Sequence, residues 1–222
     1  MKLDKVHEKQ GMASNVKLNL EALGCEVDFV TNKEQITKTR IVHEKSMQQL
    51  IRIDDDPRLT PCNSFLPQSY YQYDAIVISD YNKGFISADQ IKNICIEFLG
   101  PIFIDTKKKD LKLFGFNNVF VKINEQEFNS STSFPKNLIV TRGSKDVQYY
   151  RNGDLQDKTY FIKTHKVLDV CGAGDTFLAS FSYRYLLTKD IDNAINFAIK
   201  ASSIAVTHFG NYAPSLREID DA

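Results

Sequence analysis

Hydrophobic positions change their rhythm twice along this chain. Near the N-terminus, "NVKLNLEALG" places Val16, Leu20 and Leu23 at i, i+4 and i+7 with Gly24 just beyond, a spacing that predicts an amphipathic helix closed by glycine. The segments "EVDFV", "ITKTRIVHE" and "QQLIRID" follow, with β-branched residues and partial alternation, and predict a small antiparallel group. "DDDPRLTPCNSFLPQ", Asp54 to Gln68, is dense in turn formers and predicts a loop or connector.

From Tyr73 onward the apolar runs become short and continuous. "DAIVIS" predicts a strand buried on both faces. Ser87 with Gln90 reads as a capping box that opens a helix with Ile91, Ile94, Cys95 and Phe98 on its apolar stripe, stopped by Gly100 and Pro101. "IFID", "NVFVKI" and "NLIVT" predict three further strands, and their alternation with helical segments implies parallel pairing. "VQYY" and "KTYFIKT" predict an antiparallel pair around the turn "RNGD". Two helices are expected in the C-terminal 50 residues. One begins at or just before Asp175; the other starts near Asp190, buries Ala194, Phe197, Ala198, Ala201 and Ala205, and ends at Gly210. The fold class is therefore α/β with a mostly parallel sheet and a small β-rich piece near the N-terminus, in one domain over residues 1–222.

Composition adds exclusions rather than detail. Of 222 residues, 42% are hydrophobic and 25% charged, with a formal net charge of zero, so bulk charge suggests neither a nucleic-acid nor a membrane-surface partner. No apolar run reaches the roughly 20 residues of a membrane-spanning helix, and "MKLDKVHEKQ" lacks the apolar core of a signal peptide. Cys25, Cys62, Cys95 and Cys171 form no CxxC pair and read as reduced thiols, so a cytoplasmic location is expected. The four histidines show no ligand spacing.

The chemistry concentrates in "LDVCGAGDTFLAS". Gly172, Ala173 and Gly174 present backbone N–H groups with almost no side-chain obstruction at a helix start, an arrangement suited to an anion such as phosphate. Asp175 beside it is either a general base for a hydroxyl attacking phosphorus or simply a helix cap. No Gly-Lys-Ser/Thr and no third glycine follow, so neither a P-loop nor a dinucleotide fingerprint is present.

"DVCGAGDTF" resembles the C-terminal signature of the ribokinase-like (PfkB) carbohydrate kinases. "ASNVKLNLEALG", "TKTRIV", "QQLIRID", "SDYNKG", "FIDTKKKD" and "KINEQEF" extend the likeness from about Gly11 to Ile219 and bring it closest to the kinases of D-glycero-β-D-manno-heptose 7-phosphate. The resemblance implies a three-layer sandwich with a β lid, here about residues 36–54. It implies Asp175 as catalytic base and Gly172, Ala173 and Gly174 as an anion hole. Asn124, Glu125, Gln126 and Glu127, with Thr141 and Gly143, become the ATP-binding residues, and Asn124 and Glu127 hold Mg²⁺ through waters; a capped, exposed helix start is the alternative for that segment. Asp80, Lys83 and Lys107 become substrate residues, against the alternatives of a plain turn and a solvated charge run. Asp105 with Lys107 resembles the family's Asp-Pro-Lys element, with Thr106 in place of proline.

The implied activity is transfer of the γ-phosphoryl group of ATP to heptose 7-phosphate, giving the 1,7-bisphosphate on the way to ADP-heptose and lipopolysaccharide. A kinase for another sugar, or a nucleotide-binding homologue without catalysis, is the alternative. By the same resemblance the fold is incomplete. Relatives carry a strand and a substrate-gripping Asp ahead of the first helix, a Gly where Met12 stands, and a further strand and helix between Gly24 and Ile36. Two outcomes follow: a second copy or a partner chain completes the sheet, or kinase activity is lost while the nucleotide half is kept.

Overall fold

A computed structural model describes residues 6–43, 49–62, 72–156, 158–162 and 167–222. Helix α1 (Ala13–Ala22) leads into a hairpin of β1 (Thr37–Val42) and β2 (Gln49–Asp55). Then come β3 (Ile76–Asp80), α2 (Ala88–Glu97), β4 (Ile102–Thr106), a 3₁₀ turn at Leu111–Phe114, β5 (Val119–Asn124), α3 (Glu125–Ser130) and β6 (Asn137–Thr141). The chain closes with β7 (Asp146–Arg151), β8 (Asp154–Leu155), β9 (Tyr160–Phe161), α4 (Ala173–Thr188), α5 (Ile191–Ala205) and α6 (Leu216–Asp220).

Strands β3 to β6 lie side by side and parallel, in chain order. Strand β7 joins β6 antiparallel and carries both β8 and β9. Side-chain alternation splits the central strands between two cores. Phe103, Phe120 and Ile139 pack under α1, α4 and α5, whereas Ile102, Ile104, Val119, Val121, Ile123 and Leu138 pack under α2 and the 3₁₀ turn. The result is the expected three-layer α/β/α arrangement.

Aromatic contacts fix α4 on the sheet. Phe103 stacks on Phe120 at 5.6 Å between ring centroids, Phe181 meets Phe103 edge-on at 5.7 Å, and Tyr185 lies 4.5 Å from Phe120. Such pairs contribute roughly 0.5–1.5 kcal/mol each beyond the area they bury. They set the height at which the N-terminus of α4 meets the strand ends.

Capping chemistry read from the sequence holds at α2. The Ser87 side chain accepts from the Gln90 N–H at 3.1 Å, and the Gln90 side chain accepts from the Ser87 N–H at 2.8 Å. Replacing Ser87 with Ala is expected to lower stability by about 1 kcal/mol, read as a lower urea midpoint at unchanged slope.

Several expectations need correction. "EVDFV" forms no strand; Val27 packs on the core, but no neighbouring strand accepts its backbone, so alternation alone did not make it β. The "RNGD" turn, with Asn152 and Gly153 at φ +54° and +90°, closes β7 on β8. The "KTYFIKT" segment contributes only Tyr160–Phe161, which pairs with the opposite end of β7 at Asp146 and Val147; residues 163–166 lie outside the described ones. Helix α5 ends at Ala205, five residues before Gly210, because Thr207 and His208 turn their N–H groups back to Ile204 and Ala205. A third C-terminal helix, α6, was not expected, although Ser215 and Glu218 form a capping box as legible as that of α2.

The β1–β2 hairpin matches the small β-rich piece near the N-terminus. It forms its own two-stranded sheet, and every residue of β2 is exposed.

Candidate active site

Helix α4 begins at a glycine that no other residue could replace cheaply. Gly172 adopts φ +76°, the left-handed region, and occupies the N-cap position without any side-chain cap. A Cβ there would lie 2.6 Å from both Asn15 Nδ2 and Asn211 Oδ1. A Cβ on Gly174 would lie 2.8 Å from Lys122 Nζ. The two glycines therefore serve close packing of α4 on its neighbours as much as open approach by an anion. The Ala173 N–H points to the Val170 carbonyl at 3.3 Å, and the preceding loop is pinned by Asp169, whose carboxylate accepts from the Cys171 N–H at 2.9 Å and the Gly210 N–H at 3.0 Å.

Asp175 occupies the third helical position, 5% exposed. It does not cap the helix. One carboxylate oxygen accepts from Asn15 Nδ2 at 3.1 Å and the other from the Tyr81 hydroxyl at 2.8 Å. Burial raises its pKa from 3.8 to about 6; the hydrogen bonds from Asn15 and Tyr81 and the charge of Lys122 pull against that, and Asp105 adds to it. A carboxylate titrating near neutrality is matched to abstracting a proton from a hydroxyl.

Strand register supplies the rest. Asp105 and Lys122 are direct partners across β4 and β5, on the face beneath α4, and their side chains meet at 2.7 Å. Burial presses the Lys122 pKa down, but Asp105, helped by Asp175 and Glu127, outweighs it and the net direction is up, so Lys122 is a cation. The Tyr81 hydroxyl is held neutral by burial and by Asp175.

These groups line a cavity of about 150 Å³ at the carboxyl ends of β3, β4 and β5, the edge where parallel sheets receive ligands. Asp80 and Tyr81 come from the end of β3, Asp105 and Lys107 from β4, Lys122, Asn124 and Glu127 from β5 and α3, and Gly172, Gly174 and Asp175 from α4.

Of the residues predicted from sequence, Asp175, Gly172, Gly174, Asn124, Glu127, Asp80 and Lys107 meet here. Asn124 and Glu127 form the capping box that was the alternative reading. Asn124 Oδ1 accepts from the Glu127 N–H at 2.9 Å, and Glu127 Oε2 accepts from the Asn124 N–H at 2.8 Å. Glu127 Oε1 is left to the cavity, 3.6 Å from Lys107 Nζ. Asp80 is buried and occupied by Thr106, Lys108 and the Asn82 N–H at 2.7, 3.0 and 2.8 Å, which makes it the organiser of a turn.

The others stand outside the cavity lining. Lys83 pairs with Asp56 beside the hairpin, and Glu125 pairs with Arg142 and Lys145. Gln126 is exposed, Ala173 is half-buried with its N–H turned to Val170 rather than to the cavity, and Thr141 and Gly143 lie at and beyond the end of β6. Sequence reasoning missed Asn15, Tyr81 and Lys122. Lys122 left one signal: a cation inside the otherwise apolar run "NVFVKI" must find an anion once buried.

Among the described residues no cluster of three or more His, Cys, Asp or Glu is placed to hold a metal ion. Mg²⁺ commonly keeps several waters and takes one or two carboxylates beside substrate phosphates. Glu127 Oε1, which faces the cavity with Lys107 Nζ at 3.6 Å, fits that water-mediated role. No helix among the described residues is long and apolar enough to cross a membrane.

Residues 121–218 match the pfkB family of carbohydrate kinases. The bifunctional protein HldE of a Nitratiruptor species is 24% identical over 266 residues, which cover 95% of this chain and 56% of that protein. HldE of Campylobacter curvus is 23% identical over 278 residues, covering 100% and 58%. The chain thus spans a little over half the length of these relatives. Among solved structures, a putative ribokinase from Agrobacterium tumefaciens superposes with a TM-score of 0.72 at 14% identity, covering 99% of this chain and 90% of that one. Fructokinase with bound ATP from Xylella fastidiosa gives 0.69 at 16% identity, covering 96% and 89%.

Proposed function

We propose that this chain transfers the γ-phosphoryl group of ATP to a carbohydrate hydroxyl, with D-glycero-β-D-manno-heptose 7-phosphate as the acceptor. The ribokinase-like fold and the match to the pfkB carbohydrate kinases over residues 121–218 support the reading. One observation carries it: a buried carboxylate with a pKa near 6 stands in the first turn of α4, beside the glycine turn and the Lys122 cation.

The acceptor hydroxyl approaches Asp175, which takes its proton. The oxygen forms a bond to the γ-phosphorus as the bond between that phosphorus and the ADP oxygen breaks. Apart from the Ala173 N–H, which is committed to Val170, the N-terminal amides of α4 and the Lys122 ammonium face negative charge on the phosphoryl group in transit. Asn15 and Tyr81 hold the carboxylate so that it meets the hydroxyl in one orientation. When bound through Glu127 and its waters, Mg²⁺ neutralises phosphate charge. The ATP-contacting roles of Glu125, Gln126, Thr141 and Gly143 belong to the same reading, as do the substrate roles of Asp80, Lys83 and Lys107 and the lid role of the hairpin.

A second reading, a nucleotide-binding homologue without turnover, draws on β3. Among the described residues this strand pairs on one side only, with β4. It also draws on the HldE alignment, which runs over 278 residues against the 222 of this chain. Coupled detection of ADP from ATP, Mg²⁺ and heptose 7-phosphate decides between them. Acceptor-dependent ADP release is expected; ATP binding without ADP release under any sugar would leave only the second reading.

A further inference from the structure

We propose that Asn19 is a positioning residue: its amide locks the Asn15 side chain with Nδ2 toward Asp175, so that Asn15 can only donate to the base. The kinetic part of this role rests on the phosphotransferase reading above.

Helix α1 sets these two asparagines one turn apart on its buried face, and both are 1% exposed. Asparagine suits a helix interior poorly, because its side chain competes for backbone partners. Asn19 carries a second penalty. Its Oδ1 is buried and has no hydrogen-bond partner among the described residues. Buried polar atoms are nearly always paired, so an orphan points to a role elsewhere in the same side chain.

That role lies at the other end of the amide. Asn19 Nδ2 donates one N–H to the Asn15 backbone carbonyl at 2.8 Å and the other to Asn15 Oδ1 at 3.3 Å. Both neighbours only accept, so turning the Asn19 amide over would set oxygen against oxygen twice. Asn15 is oriented in consequence. With its Oδ1 engaged by Asn19, its Nδ2 faces Asp175 Oδ2 at 3.1 Å and the Gly172 carbonyl at 3.5 Å. The Gly172 contact is at the limit of a hydrogen bond and orients little by itself.

The lock acts when Asp175 changes its protonation state. An amide free to turn would offer its oxygen to a protonated Asp175 and stabilise the neutral acid. Held by Asn19, Asn15 stays a donor and favours the carboxylate, the form that takes a proton from a hydroxyl. Tyr81, Asp105, Lys122 and Cys171 are the titratable groups around Asp175. Asn19 acts through none of them, since both of its side-chain hydrogen bonds go to Asn15. It also stands outside the cavity lining, so its effect on the base is indirect.

The carbon-13 resonance of the Asp175 carboxyl, followed against pH in the whole chain and assigned by its loss in Asp175→Asn, tests the lock without any need for turnover. In Asn19→Ala and Asn19→Leu the titration midpoint is expected to rise from about 6 to about 7, as weakening of one charge-assisted hydrogen bond implies. The acid limb of kcat moves with it, and KM for ATP stays unchanged. Asn15→Ala raises the midpoint at least as far, and adding Asn19→Ala to it brings no further rise, because the two residues act as one unit. A midpoint unmoved in both Asn19 variants would overturn the proposal. So would a rise that persists in the Asn15→Ala background. Alanine leaves space and leucine fills it, so loss of the cooperative thermal melt in both would make Asn19 a packing residue and end the proposal too. A midpoint that moves in a chain releasing no ADP keeps the lock and removes the kinase reading.

Discussion

Asp175→Asn is expected to lower kcat for phosphoryl transfer by about 10²–10⁴-fold and, at pH 7.5, to make the fold more stable than its parent. Both effects come from one buried carboxylate. Its pKa is raised from 3.8 to about 6, so between those values the folded chain holds a proton that the unfolded chain releases. The group therefore favours the folded state below about pH 4, and that contribution disappears as the pH rises through 6. Above 6 the fold carries an ionised, desolvated carboxylate at a cost of about 3 kcal/mol. Asparagine removes the charge but serves Asn15 and Tyr81 less well, so a gain of about 1–3 kcal/mol remains at pH 7.5 and none at pH 4. Urea unfolding at the two pH values reads the difference. A variant equally destabilised at both would show that Asp175 ionises without penalty, and its assignment as a tuned base would fall. Activity of the parent should accordingly fade on the acid side with an apparent pKa near 6.

Lys122→Met is expected to destabilise the chain by about 3–5 kcal/mol, the usual consequence of leaving one member of a buried ion pair alone. Lys122 is 6% exposed and Asp105 20%, so solvent screens the pair little. The loss persists across neutral pH, because the raised Lys122 pKa keeps its contribution until the solution passes the ordinary lysine range. It should also push the pKa of Asp175 further up, since Lys122 is one of the groups holding it down, and so move the acid limb of the rate profile upward. Adding Asp105→Asn removes the orphaned charge, and the double variant should recover most of the stability. A single-variant loss below about 1 kcal/mol would mean that Asp105 is hydrated and the pair belongs to the rim of the cavity.

Much of the frame was legible because its causes are local. The capping box at Ser87–Gln90 involves partners three residues apart, and the strands from Ile76 to Thr141 announce themselves by continuous apolar runs. Errors fell where pairing decides the outcome. "EVDFV" alternates like a strand but finds no neighbour, and Tyr160–Phe161 joins the far end of β7 instead of closing the turn that looked like its own.

By itself the sequence determined an α/β chain, the glycine turn at the head of a C-terminal helix, and the acid that follows it, since each depends on residues within a few positions of one another. Only the tertiary structure decided what that acid is. Asn15 and Tyr81 reach Asp175 across 160 and 94 residues of sequence, and strand register sets Asp105 against Lys122 below the helix. A pKa near 6 is the sum of burial and charges contributed by elements far apart in the chain, so no short stretch of residues encodes it.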